Sequence, residues 1–224
     1  RPCPTPPAAR AGGDCGGVTM VEANGMRLAF IAFTKGLGNL SLPEDAAGTV
    51  NLLYSDYDTN YSELDTDGII EVMDAAKKQN PDVIIVLVHW GSEYSEEITS
   101  SQKEIASLLI SNGVSLIVGS HSHYVGPMEN GRSSIFRSDS TFIAYGLGDF
   151  LSVADTTSAR NGCILNVRID KKGEEIHLAS VSYTPTFSAA PDRNLDITEY
   201  EILDSLDAIS FYENGYYNRI SKSL

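Results

Sequence analysis

The sequence predicts an α/β domain built around a parallel sheet, on three observations. Residues 83–88 (VIIVLV) form a continuous apolar run, which is typical of a strand covered on both faces, and residues 115–119 (SLIVG) predict the next buried strand. The segment between them has helical periodicity, so the order is strand, helix, strand, with a right-handed crossover expected. A chain of 224 residues that is 42% hydrophobic can bury a core without disulfides or a structural metal.

The predicted fold begins after a segment that cannot build a core. Residues 1–17 are rich in Pro, Gly and Ala, so we interpret them as a disordered leader or linker, and residues 18–224 as the folded region. Residues 26–34 (MRLAFIAFT) are the first predicted strand. Because Asn24-Gly25 is a turn signal, residues 18–22 are expected to pair with that strand as a hairpin.

Two helices are predicted between the hairpin and the second buried strand. The first covers residues 66–79, where apolar side chains recur at helical spacing. The second covers residues 102–111, with Ser101 and Glu104 as a capping box and Gly113 at the position that follows the C-cap. This second helix is the crossover between the two buried strands.

After residue 130 the pattern changes to strands that alternate or end at turn signals. Residues 142–147, 163–169 and 175–183 are strand-like, and together they predict a mostly antiparallel sheet that follows the parallel part. In the tail, the apolar spacing predicts one helix near residues 202–212.

Charge and cysteine content exclude several classes of function. A formal net charge of −14 repels phosphate backbones, so nucleic-acid binding is not expected. No apolar run approaches the roughly 18 residues that a membrane span requires. The cysteines Cys3, Cys15 and Cys163 have no CxxC spacing and predict neither a disulfide framework nor a zinc ribbon.

Three of the four histidines directly follow the two buried strands. His89 follows the first strand, and His121 and His123 follow the second. Neighbouring parallel strands present their carboxyl ends to one crevice, so we expect the three rings to converge there. His121 and His123 are two residues apart and would point to the same side of extended backbone. Imidazoles grouped in this way suit a borderline divalent metal.

Two carboxylates and one aromatic residue accompany these histidines. Glu93 could orient an imidazole, ligate the metal or act as a general base, or it is a solvated loop carboxylate. Asp149, in the string YGLGDF, could ligate metal, hold a histidine N–H or belong to a structural turn. Trp90 could line the pocket or pack beneath the loop.

The string HWGSEY, followed by VGSHSHYVGP and then YGLGDF, resembles the capsule-synthesis protein family typified by the poly-γ-glutamate protein CapA. The intervening SQKEIASLLISNG and the earlier VNLLYSDYDTN also fit that family. The resemblance covers about residues 20–185, and the three motifs in this order are fairly specific. It implies a role in making or exporting an anionic polymer, other capsule-synthesis proteins as partners, and an extracytoplasmic or cell-envelope location.

The capsule-synthesis family is in turn similar to calcineurin-like metallophosphoesterases, whose fold is a β-sandwich flanked by helices. Carried over by motif, His89 matches a histidine that ligates metal after a central strand. His121 and His123 match the Gly-x-His-x-His pair of a centre that holds one or two ions of Mn, Zn or Fe. Family members begin with a Gly-Asp strand motif and an Asn-His motif. Neither is seen here, so the resemblance implies that the N-terminal part of the domain is lacking.

Two functional hypotheses follow from these residues and this resemblance. The first is a metal-dependent, phosphoesterase-like hydrolase that serves capsule polymer synthesis, with an anionic polymer or phosphoester as substrate. Its metal ligands would be His89, His121, His123 and Asp149, its catalytic groups Glu93 and His123, with Trp90 and Tyr124 near the pocket mouth. The second is a non-catalytic scaffold or polymer-handling subunit that keeps the fold.

Overall fold

The computed structural model describes residues 17–38, 40–43, 46, 48–131, 141–173, 175–191 and 199–205. The predicted leader therefore lies outside the described residues, apart from Gly17. Within these ranges the chain forms one mixed sheet of six strands, a second sheet of three strands, and two α-helices.

The six-stranded sheet has the order β1-β2-β3-β4-β6-β5. Its four inner strands, β2, β3, β4 and β6, run parallel, and the two edge strands are antiparallel to their neighbours. All four inner strands therefore end at one edge of the sheet. The strands are β1 (Val18–Ala23), β2 (Met26–Thr34), β3 (Val83–His89), β4 (Leu116–Ser120), β5 (Met128–Gly131) and β6 (Thr141–Ala144).

The predicted hairpin and central strands are confirmed. Asn24 and Gly25 connect β1 to β2 with φ of 50° and 74°, the two positive angles that a tight hairpin turn needs. β3 lies between two parallel neighbours and is buried along most of its length. Its uninterrupted apolar run is thus explained by cover on both faces.

Both helices pack on one face of the six-stranded sheet. Helix α1 (Thr66–Lys77) begins at Asp65, whose carboxylate accepts the Gly68 N–H at 3.0 Å. Ile69 and Met73 of this helix are fully buried against the sheet. The apolar face of α1 therefore covers the main hydrophobic core of the described residues.

Helix α2 (Ser100–Ser111) begins two residues before the prediction. The predicted capping box of Ser101 and Glu104 is wrong. Thr99 Oγ1 accepts the Gln102 N–H at 3.2 Å, and Gln102 Oε1 accepts the Thr99 N–H at 2.9 Å. The same T/S-x-x-E/Q signature therefore occurs two residues earlier, where the cap also supplies hydrogen bonds to the side-chain oxygen of the buried Gln102. Gly113 ends the helix region with φ of 95°, as predicted.

The second sheet is antiparallel and packs on the face opposite the helices. Ile85, Leu116 and Phe142 of the first sheet share a cluster with Ile176 and Leu178 of the second. The result is a β-sandwich flanked by helices, which confirms the architecture implied by the resemblance. The second sheet contains β7 (Asn161–Lys172), β8 (Glu175–Ala189) and β9 (Glu201–Asp204).

Two assignments in the second half of the chain were wrong. The strand predicted at residues 142–147 was expected in the antiparallel sheet, but β6 pairs in parallel with β4. All four residues of β6 are buried, as a strand covered on both faces requires. The helix predicted near residues 202–212 begins instead as β9, whose backbone pairs with residues 186–189 of β8. Ser205, the next residue of the predicted helix, is helical, and residues 206–212 lie outside the described residues.

Candidate metal centre

The carboxyl ends of β2, β3 and β4 meet at one point of the six-stranded sheet. His89, the last residue of β3, is in register with Thr34 of β2 and with Ser120 of β4. The His121 ring lies over this junction, and the centroids of the His89 and His121 rings are 4.2 Å apart. The structure thus brings together two of the three histidines that the sequence placed here.

The backbone beyond β4 is not extended, and this expectation was wrong. His121 has φ of 97° and His123 has φ of 60°, both in the left-handed region that favours glycine. The chain therefore turns sharply after Ser120 instead of continuing the strand. As a result the two rings contact different rings: His121 faces His89, and His123 faces Tyr94. Both histidines nevertheless lie near Glu93.

His123 is held by an acidic and an aromatic partner. Its Nδ1 lies 2.9 Å and 3.1 Å from the two carboxylate oxygens of Asp149. Its ring stacks on Tyr94 with centroids 4.8 Å apart, and its Nε2 is 3.9 Å from Glu93 Oε1. An ionised carboxylate only accepts hydrogen bonds, so Nδ1 carries the proton and Nε2 is left with a lone pair when the ring is neutral. Tyr124 makes an edge-on contact with Tyr94 and lies beside this group.

Burial and neighbouring charges disfavour the protonated forms of the His89 and His121 rings. Burial, followed by the charges of His89 and Lys35, lowers the pKa of His121 to about 4. Burial, followed by the Lys35 charge, also lowers the pKa of His89. Glu93 opposes the shift in both cases without reversing it. Neutral imidazoles at neutral pH are the form that binds metal.

Lys35 and Thr34 belong to this site and were missed in the sequence. Lys35 Nζ donates to the Gly91 carbonyl at 2.8 Å, and the ammonium lies 4.6 Å from the centroid of the Tyr61 ring. Thr34 Oγ1 lies 3.1 Å from His89 Nδ1. Both residues stand at the end of a predicted strand, so the rule that selected the histidines would also have selected them.

Trp90 is not at the pocket mouth, so that part of the first hypothesis was wrong. The indole is 1% exposed, donates from Nε1 to the Tyr145 carbonyl at 3.0 Å and stacks on the Tyr145 ring. Gly119 makes this contact possible, because a Cβ there would overlap the Tyr145 carbonyl oxygen and Trp90 Nε1. Trp90 therefore holds the loop that follows β3 against the buried interior of the domain.

The loop that carries Glu93 is also tied to the exit of β4 by its backbone. The Trp90 N–H donates to the Ser120 carbonyl at 3.3 Å, and the Tyr94 N–H donates to the Ser122 carbonyl at 2.9 Å. The side chain of Glu93 itself is 57% exposed. Its position above the histidines is therefore set by the main chain on either side.

The donor chemistry fits a borderline divalent metal, although the geometry completes only part of a site. Two neutral imidazoles in contact, with a third that is oriented by a carboxylate, are ligands of the type that Zn and Fe accept. In the described part of the chain, no group of three or more His, Cys, Asp or Glu side chains is arranged to hold one ion. The described residues thus supply ligands of the right kind but not a closed coordination shell.

Comparison with known proteins gives a family. Residues 9–154 match the family described as Bacterial capsule synthesis protein PGA_cap. The chain is 31% identical over 111 residues to "PGA biosynthesis protein CapA" of Bacillus subtilis (strain 168), a match that covers 49% of this chain and 27% of that protein. It is 27% identical over 100 residues to "Capsule biosynthesis protein CapA" of Bacillus anthracis, covering 45% and 23%. The matches therefore span about a quarter of each curated relative.

Among solved structures the likenesses are weaker. The calcineurin-like phosphoesterase YfkN from Bacillus subtilis matches with a TM-score of 0.40 and 12% identity, over 92% of this chain and 58% of that one. A hypothetical protein from Thermus thermophilus matches with a TM-score of 0.43 and 15% identity, over 79% and 64%.

Proposed function

The chain belongs to the bacterial capsule synthesis protein family PGA_cap, and from this premise we propose that it holds a divalent metal for the synthesis of an anionic capsule polymer. The polymer would be of the poly-γ-glutamate type, and the chain would act in the cell envelope beside other capsule-synthesis proteins. Within the described residues, no helix has the length and apolar character needed to cross a membrane.

The observation that supports the metal site best is the contact between the His89 and His121 rings. Their centroids are 4.2 Å apart, and the pKa of each ring is lowered from its usual value. Two imidazoles packed this closely would repel each other if both were protonated, and burial adds to that cost. Two neutral imidazoles in contact at a strand junction would be available to bind one cation together.

The other site residues have separate roles in this proposal. His89, His121 and the Nε2 of His123 would hold Mn, Zn or Fe, as one or two ions. Asp149 would orient His123 through Nδ1 instead of binding the metal itself, since both of its oxygens face that nitrogen. Glu93, 3.9 Å from His123, would act as a general base for water. The metal would supply Lewis-acid polarisation of a phosphoester oxygen.

Metal titration of the purified chain tests the site. We expect Zn²⁺ or Mn²⁺ to bind the wild type, and His121→Ala to weaken binding by more than about 100-fold, the upper limit for the loss of a residue that only orients a ligand. His177→Ala is the matched control, because His177 is 52% exposed beside Glu175 on β8. Equal affinities in all three proteins, measured by calorimetry at pH 8, would rule out the site.

A non-catalytic scaffold is the second candidate. It is favoured by the open ligand set of the described residues, in which only the His89 and His121 rings are in direct contact. Hydrolysis of a chromogenic phosphodiester with added Mn²⁺ or Zn²⁺ separates the two candidates. Turnover that is lost in Glu93→Gln, with metal binding retained, supports the hydrolase. Metal binding without turnover supports the scaffold.

A further inference from the structure

Thr34 makes a set of hydrogen bonds that determines where its one hydroxyl proton can be. Thr34 Oγ1 lies 2.8 Å from the Gly36 carbonyl oxygen, 3.3 Å from the Gly36 nitrogen and 3.1 Å from His89 Nδ1. A hydroxyl has one proton to donate and two lone pairs that accept. The Gly36 carbonyl only accepts and is the closest of the three partners, so it takes the hydroxyl proton.

The remaining two contacts of Thr34 must then be acceptor contacts. One lone pair of Oγ1 receives the Gly36 N–H, and the other faces His89 Nδ1. A ring nitrogen that faces an acceptor lone pair can form a hydrogen bond only if the nitrogen carries the proton. In neutral His89 this leaves Nε2 without a proton and with its lone pair available.

The backbone around Thr34 holds this arrangement in place. The Thr34 N–H donates to the Asn51 carbonyl at 3.0 Å, and the Thr34 carbonyl accepts the Leu53 N–H at 2.9 Å. The next residue, Lys35, donates its N–H to the His89 carbonyl at 2.8 Å. Gly36 is needed for the turn, since a Cβ there would lie 2.6 Å from both the Tyr57 carbonyl oxygen and the Tyr61 ring. Backbone hydrogen bonds to the neighbours on both sides of β2 therefore fix the position of Thr34 Oγ1.

We propose that Thr34 is a positioning residue of the candidate metal centre: its hydroxyl fixes His89 as the Nδ1–H tautomer and so reserves the Nε2 lone pair for a cation. The inference rests on the proposed function for its purpose, but the tautomer is a property of the metal-free protein. His123 has the same arrangement, with the Asp149 carboxylate as acceptor. Two of the three candidate ligands would then offer the same nitrogen.

The tautomer of His89 can be measured directly by ring-nitrogen NMR of the metal-free, ¹⁵N-histidine-labelled chain at pH 8. We expect the wild type to show the proton on Nδ1 of His89. Thr34→Val keeps the shape of the side chain and removes the acceptor, so the ratio of the Nδ1–H to the Nε2–H form should fall about two- to tenfold. Thr34→Ser restores a hydroxyl and should restore the ratio.

Metal affinity gives the second readout. Loss of a partner that orients a ligand weakens metal binding by about 10- to 100-fold, so Thr34→Val should lose that much Zn²⁺ affinity and Thr34→Ser should keep it. Thr49→Val is the matched control, because the Thr49 hydroxyl donates to the Ala46 carbonyl in an exposed turn. This control should change neither the tautomer nor the affinity, and circular dichroism melting should show that all variants are folded.

The outcomes separate this inference from the proposed function. A wild type with the proton on Nε2 of His89, or a Thr34→Val protein with an unchanged tautomer ratio, overturns the role of Thr34 even if metal binds. A Thr34-dependent Nδ1–H tautomer in a chain that binds neither Zn²⁺ nor Mn²⁺ supports the positioning role and refutes the metal site.

Discussion

The two ends of the parallel strands differ in the non-glycine residues that adopt left-handed backbone. At the amino ends, the positions with positive φ include Asn24, Asn80 and Gly113, residue types that adopt this conformation at little cost. At the carboxyl ends, Gly91 adopts it too, but so do Tyr94, His121 and His123, and this conformation is uncommon for residues other than glycine. Non-glycine residues held in such regions cost about 1–3 kcal/mol each and cluster at functional sites.

The polar groups at the two ends differ in the same sense. At the amino ends, Asp82 accepts the Arg27 N–H at 2.8 Å and the Lys171 ammonium at 3.0 Å, which joins the first sheet to β7 of the second. At the carboxyl ends, Lys35 contacts a carbonyl and a ring, beside neutral histidines. The amino ends are therefore arranged for stability. The carboxyl ends retain backbone strain and ring nitrogens with available lone pairs, as expected of a binding site.

The largest expected effect on stability is at the amino ends. Asp82→Asn should lower the free energy of unfolding by about 1–2 kcal/mol, because it weakens charge-assisted hydrogen bonds to a backbone N–H and to Lys171. Asp74→Asn is the control, since Asp74 pairs with Lys77 on the exposed face of α1 and should cost about 0.5 kcal/mol or less. Urea unfolding that shows equal losses for the two variants would contradict the special role of Asp82.

The next effect concerns the strain at the carboxyl ends. His121→Ala and His121→Gly both remove the ring, but only glycine relieves the φ of 97°. We therefore expect His121→Gly to be more stable than His121→Ala by about 1 kcal/mol.

The sign should reverse in the interior of α2. At Ser107, which is helical and exposed, the alanine variant should be more stable than the glycine variant by about 1 kcal/mol. If alanine were favoured at both positions in thermal unfolding, the left-handed backbone of His121 would not be strained.

Much of the fold could be predicted because its signals are local. The apolar run of β3, the Asn24-Gly25 turn and the glycine after α2 each specify backbone geometry within a few residues. The errors arose where partners distant in sequence decide the outcome. The sequence predicts a strand at residues 142–144. That strand belongs to the parallel sheet because it is buried between β4 and β5, which the local sequence does not specify. Residues 201–204 form a strand because β8 presents an edge to them.

The candidate site was predictable in its position but not in its internal geometry. Strand order and the placement of histidines at strand ends were enough to bring His89 and His121 together. Spacing could not show that His121 and His123 leave the extended conformation, because that depends on the turn between β4 and β5. It also could not show which acceptor each ring nitrogen would meet, since Thr34 and Asp149 are 55 and 26 residues from their histidines.

The smallest expected effect is the pH dependence of the Asp82 contribution. Burial alone would raise the pKa of this carboxyl, but the bonds from the Arg27 N–H and Lys171 lower it below the usual range. A carboxyl whose pKa is lower in the folded than in the unfolded state stabilises the fold above the unfolded pKa of about 3.9, and loses that contribution as the pH falls through the folded value. The stability difference between wild type and Asp82→Asn should therefore shrink between about pH 5 and pH 3. Carboxylates that titrate elsewhere cancel in this difference, and an Asp82 difference that stays constant over this range in urea titrations would show that the bonds from the Arg27 N–H and Lys171 do not lower the carboxyl pKa.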